Sequence, residues 1–318
     1  MNDFFDNRRI LEIFWSRRFH IVAIGAIAVV LASVFSSPFF IQPKFKAQAR
    51  IYPANVVVMS EESKSEQMLE MINSNDIKLR LFDAFRLHEV YGINPDDPQY
   101  MTYMLGIFNK NFAARKTEFE TVQIEIMDVD PRRAAAMVDT LIHYYNQKVR
   151  ALHANKNLEM VVILEENLFH RRHERDSLAS ELAAFRKNYQ ILDAVNQVPE
   201  VTRGYMNVLS QGRSASADSR KVEEIYSNLL YKGVEAQVME SHFNYLNQHI
   251  DSLLNMYHIN LSESRKVISY SHVVENPIVP DKKAYPVRWL IVMVSLLSAV
   301  FFSLLLFVAI DYSKKTIA

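Results

Sequence analysis

The sequence predicts an α+β membrane protein in which two transmembrane helices flank a domain with a small mixed sheet and a long antiparallel helical hairpin. Three observations lead to this fold class. A run without charged residues lies near each end of the 318-residue chain. Three short segments between these runs alternate apolar and polar residues, which is typical of strands. Two longer stretches repeat apolar residues at alternating steps of three and four, as in paired helices.

The run nearest the start of the chain has its apolar core at residues 19–41, between Arg18 and Lys44. The hydrophobic part of a signal peptide spans only about 7–15 residues, so the sequence favours an uncleaved transmembrane helix over 19–41. The tail before it, residues 1–18, is amphipathic and predicts a helix lying at the membrane interface. A partner-binding tail is the alternative interpretation.

The second run, Trp289–Ile310, holds twenty-two residues without a charge. At about 1.5 Å per residue it reaches roughly 33 Å, enough to cross the hydrocarbon core of a bilayer. We therefore predict a second transmembrane helix over 288–310. Residue types that anchor helices at the membrane interface stand at its start, namely Tyr285, Arg288 and Trp289.

Three prolines precede the second span, at Pro277, Pro280 and Pro286. Each fixes φ and removes a backbone donor, so the approach to the membrane is predicted to be extended rather than helical. The alternating segment 267–274 predicts a strand just before them. Together they give a return strand and a proline-rich collar over 265–287.

Two spans place both ends of the chain on the same side of the membrane. Six basic residues flank the spans on each side, so their count does not decide the orientation. A loop as long as the one between the spans crosses the membrane largely regardless of its charges. The sequence therefore favours cytoplasmic tails at 1–18 and 311–318, with the bulk of the chain outside the cytosol.

The first part of a membrane-proximal base covers residues 42–130. Apolar and polar residues alternate over 47–58 and 119–127, which predicts two strands in addition to the return strand. Apolar residues at helical spacing between them predict short amphipathic helices. We expect these elements to form the small mixed sheet and the helices that cover it.

A long helical arm is predicted over 131–264. Asp130 suits the N-cap of a helix, and Pro131 suits the first helical position. Neither glycine nor proline occurs from Arg132 to Val198. If this stretch is one helix, it measures roughly 100 Å, much longer than an average helix.

A breaker separates the two halves of the arm. Pro199 and the glycines and serines after it interrupt the heptad pattern, which resumes from Val222. The sequence therefore predicts an antiparallel hairpin with its tip near 195–220. The apolar seams are predicted to pack the helices and the oligomer through Leu164, Leu168, Leu178, Leu182, Phe185, Leu246 and Ile250.

The composition excludes several kinds of site. The chain has no cysteine, six glycines and a formal net charge of zero, so disulfides, thiolate zinc sites and general attraction to nucleic acid are not expected. Neither a P-loop nor a hydrolase motif occurs. His170 and His173 on the long helix are better explained as a solvated face than as a metal site. We predict no catalytic residue, no cofactor and no metal.

Two segments resemble a known family. They are residues 128–134, which contain the string D-x-D-P-x-x-A, and residues 277–286, the proline-rich run into the second span. With two spans at the extremes, the chain resembles the chain-length determinant proteins, or polysaccharide co-polymerases, of bacterial inner membranes. The resemblance implies a ring-like periplasmic homo-oligomer that sets the length of an O-antigen, capsule or exopolysaccharide. It also implies that the prolines of the collar have a functional role.

The resemblance also implies partners: a separate polymerase, which forms the glycosidic bonds, the polysaccharide chain and the lipid bilayer. Some family members carry a fused tyrosine kinase, but this sequence ends eight residues after the second span. A kinase activity is therefore not transferred, and a separately encoded kinase stays open. Neither span core carries a charge, so the spans are interpreted as anchors rather than a conduction path.

Three other classes of function are weighed against this one. A capsule or exopolysaccharide export adaptor of the same architecture would be distinguished by its genomic neighbours. A two-span sensor is disfavoured because the tails leave no room for an output domain. A membrane-anchored periplasmic enzyme is disfavoured because the sequence offers no constellation of catalytic residues.

Overall fold

The computed structural model describes residues 7–58, 61–211 and 216–317, with side chains over 11–58, 61–211 and 216–311. It divides into two compact units. The first consists of Met1–Val149 and Ser269–Ala318, and the second is Arg150–Ile268. The predicted cytoplasmic tails fall partly on residues 1–6 and 318, which lie outside the described residues, as do residues 212–215 of the predicted tip.

The first unit combines helices at both ends with a sheet covered by helices. Its elements are α1 (Asn7–Ser16), α2 (Arg18–Phe35), β1 (Lys44–Pro53), α3 (Lys64–Asn73), α4 (Asn75–Ala84), α5 (Leu87–Tyr91), α6 (Tyr100–Asn111), β2 (Phe112–Lys116), β3 (Val122–Asp128), the start of α7 (Pro131–Tyr189), β4 (Ser271–Glu275), β5 (Lys283–Tyr285) and α10 (Arg288–Ile317). The second unit holds the rest of α7, then α8 (Ala194–Ser210) and α9 (Ala217–Ser264).

The described strands form one sheet in the order β2-β3-β1-β4, with β5 also pairing with β1. Every pairing among them is antiparallel, so the predicted mixed sheet is wrong. The reason lies in the direction of the chain. β1 runs away from the end of α2, whereas β4 and β5 run back towards the start of α10, so strands that lie beside β1 on this side must oppose it.

One face of the sheet is apolar and covered by helices. Burial alternates along β3, where Val122, Ile124 and Ile126 point inward and the residues between them are less buried. The short helices predicted for the base, together with the start of α7, which was predicted as part of the arm, supply the other side of this core. Two fully buried methionines, a tyrosine and three leucines are among their contributions: Met68, Leu81, Leu87, Met104, Leu141 and Tyr145.

The two apolar helices, Arg18–Phe35 and Arg288–Asp311, are long and apolar enough to cross a membrane. They pack through small residues: a methyl group added to Gly25 would lie 3.1 Å from Leu296 Cδ1. The first helix is shorter than the predicted 19–41, because it ends at Phe35. Ser36 closes its last turn by donating its N–H to Ala32 O at 2.9 Å, and Pro38 cannot continue a helix.

The second unit is an antiparallel pair of long helices, as predicted. Tyr257 Oη donates to Glu165 Oε1 at 3.1 Å, and Asn228 Nδ2 donates to Tyr189 O at 3.1 Å. Later residues of α7 therefore contact earlier residues of α9, as they must in an antiparallel pair. Its ends are also joined, since Arg150 Nη2 donates to Ile268 O at 2.9 Å. The chain therefore enters and leaves this unit at neighbouring points.

The break in the arm occurs earlier than predicted. Helix α7 ends at Tyr189, Gln190 adopts a left-handed φ of 57°, and Pro199 lies inside α8 rather than in a loop. The turn is stabilised by side chains: Gln197 Oε1 accepts the N–H groups of Leu192 and Asp193 at 2.7 and 3.1 Å. The described part of the predicted tip is thus largely a third helix of this unit.

Candidate functional site

The segments that connect the two spans to the sheet lie side by side. We term them the membrane junction and define it as residues 36–46 and 275–288. Within it β1 and β5 pair antiparallel, with Lys44 opposite Tyr285 and Phe45 opposite Lys283. Because α10 starts at Arg288, this pairing lies within about 10 Å of extended chain from the second span.

The collar connects β4 to β5 without regular structure, since residues 276–282 belong to neither helix nor strand. This agrees with the extended approach expected from its prolines. Pro277 and Pro280 are half-buried, and Pro286 is buried. The peptide bond between Tyr285 and Pro286 is cis.

Two apolar side chains on the collar face solvent between its prolines. Ile278 is 73 % exposed, and Val279 is exposed as well. Large apolar side chains that a folded unit leaves uncovered mark contacts with lipid or with another protein when they cluster. The collar therefore presents an apolar contact surface next to the membrane.

A carboxylate fixes the start of the collar to the sheet. Glu275 accepts hydrogen bonds from Arg50 Nε at 2.7 Å and from Gln48 Nε2 at 3.1 Å. The hydrogen bond from Arg50 and then that from Gln48 lower the pKa of Glu275, so its carboxylate is ionised at neutral pH. Two side chains of β1 thus hold Glu275, two residues before Pro277.

The predicted interface anchors lie together at the start of the second span. Tyr285 ends β5, while Arg288 and Trp289 open α10, and all three side chains are exposed. Their contact with lipid headgroups stays a prediction. Their common position at the start of the second span is the arrangement that such contacts require.

The seam residues of the arm pack within one chain. Five of them are at most 5 % exposed: Leu164, Leu168, Leu182, Leu246 and Ile250. The other two, Leu178 and Phe185, are half-buried. The five buried side chains therefore hold the hairpin of a single chain together and offer no surface to a second copy.

The family-like string at 128–134 forms the joint between β3 and α7. Asp130 Oδ1 accepts the N–H of Arg132 at 2.9 Å, which confirms its role as N-cap. Asp128, the first residue of this string, was given no role from the sequence; it accepts the N–H of Asp130 at 2.8 Å and pairs with Arg133 Nη2 at 2.5 Å. Its position two residues before the capping aspartate is the signal that could have indicated this role.

Metal binding has no candidate group in the part of the chain that the structure describes. Groups of three or more His, Cys, Asp or Glu side chains able to hold a metal ion do not occur there. His170 is exposed on α7, with its Nε2 4.0 Å from Glu166 Oε1. The pair of histidines noted in the sequence is thus a helix surface.

Comparisons with known proteins give one match to a family and several to solved structures. The model of the family described as "Chain length determinant protein" (Wzz) matches residues 3–84. A search of curated proteins found no match.

The solved structures are distant in sequence. A full-length bacterial polysaccharide co-polymerase is 12 % identical, covers 96 % of this chain and 97 % of its own, and has a TM-score of 0.44. The wild-type lipopolysaccharide O-antigen chain-length regulator of Shigella flexneri is 13 % identical over 75 % of this chain and 99 % of its own, with a TM-score of 0.30. A fragment of the polysaccharide co-polymerase of Salmonella Typhimurium is 13 % identical over 76 % of this chain and 100 % of its own, with a TM-score of 0.27.

The matched residues 3–84 include the first span, β1 and the side of the membrane junction that β1 contributes. The fold around them agrees with the architecture predicted from the residue patterns of the sequence: apolar helices at both ends, a small sheet and a long helical hairpin. The chain is therefore similar to the chain length determinant family over residues 3–84, where the family model matches.

Proposed function

We propose that this protein regulates the chain length of a bacterial surface polysaccharide, an O-antigen or a related polymer. It acts as a ring-like homo-oligomer in the inner membrane, beside a separate polymerase that makes the glycosidic bonds. Both termini lie in the cytoplasm and the sheet and the arm in the periplasm. The observation that carries this proposal is the match of residues 3–84 to the chain length determinant family.

The membrane junction is the surface through which the polymerase is contacted. A polymerase embedded in the same bilayer can reach only groups close to the membrane, and the collar offers the exposed Ile278 and Val279 there. Backbone pairing of β1 with β5 and the ion pair of Glu275 with Arg50 hold this surface in place. The spans serve as anchors, and the length of the product follows from the geometry of the assembly.

Substitutions in the collar test this function. Changing Pro277, Pro280 and Pro286 to alanine together is expected to alter the length distribution of the polysaccharide on a gel while the protein stays in the membrane. A double change, Ile278→Ser with Val279→Ser, keeps the prolines and is expected to act in the same direction. Pro95→Ala with Pro98→Ala, in an exposed turn of the first unit, is the matched control.

The outcomes separate the candidate functions. An unaltered distribution with both collar variants would contradict a role of the collar. A strain without the protein that makes polysaccharide of normal length but fails to export it would identify an export adaptor instead. A regulatory kinase encoded elsewhere is an additional partner to be sought by testing whether this protein and a tyrosine kinase purify together.

A further inference from the structure

A partly open cavity of about 190 Å³ with both polar and apolar lining lies in the first unit, and two of its lining residues, Gln42 and Lys44, belong to the membrane junction. The polar groups on its wall come from four separate elements or their edges: Gln42 and Lys44 from the start of β1, Tyr91 from α5, Asn111 from α6 and Asp128 from β3. A water molecule occupies about 30 Å³ of liquid, so the cavity has room for a group much larger than water.

Lys44 supplies a positive charge to this cavity. Its Nζ donates to Asn111 Oδ1 at 2.7 Å, and the Nδ2 of Asn111 donates to Ile107 O at 2.9 Å. An ammonium group has three donors, and the described residues account for one of them. Asn111 is only 6 % exposed, so the lysine is held by a buried amide rather than by a carboxylate.

The carboxylate on the wall is already neutralised. Asp128 is 4 % exposed, pairs with Arg133 Nη2 at 2.5 Å and accepts the N–H of Asp130 at 2.8 Å. The Nε of Arg133 is buried and has no acceptor among the described residues. The cluster therefore has a net positive charge and more donors than acceptors, which suits an anion.

The phenol of Tyr91 adds a neutral donor. Burial, and then the nearby Asp128, raise the pKa of Tyr91 to about 12. The hydroxyl consequently keeps its proton at physiological pH and can donate it to an acceptor in the cavity. An anion with several oxygen atoms could use this donor together with the free N–H groups of Lys44.

The place of the cavity indicates the source of the anion. Lys44 pairs with Tyr285, three residues before the second span starts, so the cavity lies at the end of the sheet next to the bilayer. We propose that this cavity binds the phosphate group of a membrane lipid, with Lys44 as its charged ligand and Tyr91 as a hydrogen-bond donor. The proposal does not depend on the polysaccharide function.

Lipid retention by the full-length protein tests the proposal. The protein purified in detergent is mixed with equal amounts of phosphatidic acid, which exposes a terminal phosphate, and phosphatidylcholine, and the lipids that stay bound are counted by native mass spectrometry. Wild type is expected to retain phosphatidic acid preferentially. Lys44→Gln is expected to lower this retention about tenfold, because it removes a charge-assisted contact.

Lys46→Gln is the matched control. Lys46 lies on the same strand, but its Nζ bonds Glu125 Oε2 at 3.3 Å on the open face of the sheet. Its substitution is expected to leave retention unchanged. Tyr91→Phe removes a single hydroxyl and gives a second variant, with a smaller expected loss, should Lys44→Gln fail to fold.

Several results would overturn the proposal. Equal retention of both lipids by wild type, equal retention by wild type and Lys44→Gln, or equal losses in Lys44→Gln and Lys46→Gln would each contradict it. Inorganic phosphate is added in a separate arm. If it displaces phosphatidic acid at equal concentration, the source is free phosphate and the assignment to a lipid is wrong.

Discussion

The two units of this protein are stabilised in different ways. In the first, fully buried side chains from distant parts of the sequence share one core, such as Ile51, Ile124 and Leu141. In the second, burial follows a narrow seam between helices, and its most buried side chains among the described residues are Leu246 at 0 % and Ile191 at 1 % exposed. From this difference we expect the first unit to unfold as a whole and the second to open locally along its length.

The largest effect is expected from Phe108→Ala in the first unit. Phe108 is fully buried, and its ring centroid lies 5.2 Å from that of Phe82 and 5.3 Å from that of Phe112. Its removal should lower the free energy of unfolding by about 3–5 kcal/mol. Thermal unfolding of the full-length protein measures this. Phe119→Ala, at an exposed site, should lower the free energy of unfolding by less than about 0.5 kcal/mol. If Phe108→Ala and Phe119→Ala lower it equally, the idea of a shared core is contradicted.

A smaller and more local effect is expected from Leu246→Ala in the arm. The seam is flanked by solvent on both sides, so the cost should be about 2–3 kcal/mol, near the low end for a buried leucine. Hydrogen exchange should become faster in α9 and the second half of α7, with β1 and β3 unchanged. Val238→Ala on the exposed side of α9 is the control. Faster exchange in the sheet would show that the two units unfold together.

Loss of a helix cap in the first unit should lower the free energy of unfolding by less than Leu246→Ala does. Ser63 caps α3 by accepting the N–H of Glu66 at 3.2 Å, while Glu66 Oε2 accepts the N–H of Ser63 at 2.8 Å. Ser63→Ala should reduce the free energy of unfolding by about 1 kcal/mol. If the first unit unfolds as a whole, its entire thermal transition should shift to a lower temperature. Fraying limited to α3 in hydrogen exchange would contradict that view.

The smallest effect is a dependence on pH. The backbone N–H and the hydroxyl of Ser63, and then Lys116, lower the pKa of Glu66 from 4.5 to about 2. The ionised carboxylate therefore contributes its full stabilisation above pH 4.5, and this is lost as the pH falls towards 2. Glu66→Gln should reduce the change of the melting temperature with pH over this range. Glu70→Gln, exposed on the same helix, should not.

Features with a local cause were predictable from the sequence. Both spans follow from runs without charge, the strand at Val122–Asp128 follows from alternation, and Asp130 follows from capping chemistry. The apolar seam of the arm follows from the heptad pattern, because helices as long as α7 and α9 repeat that pattern many times. In each case, the residues that carry the signal are the ones that form the predicted element.

Features that depend on distant partners were not predictable. Neither glycine nor proline marks the end of α7, since the turn at Gln190 is stabilised by Gln197 from the next helix. The three-residue strand β5 exists only because β1 lies beside it. The cavity at Lys44 joins positions that are far apart along the chain, and no spacing rule connects them.

The bond between Arg150 and Ile268 has a consequence for evolution. A segment whose two ends meet can be lengthened, shortened or exchanged as a cassette, while the polypeptide that receives it continues undisturbed. Sequence and length changes can therefore accumulate in the second unit without loss of stability in the first. Relatives of this protein are therefore expected to vary most in the length of this insert.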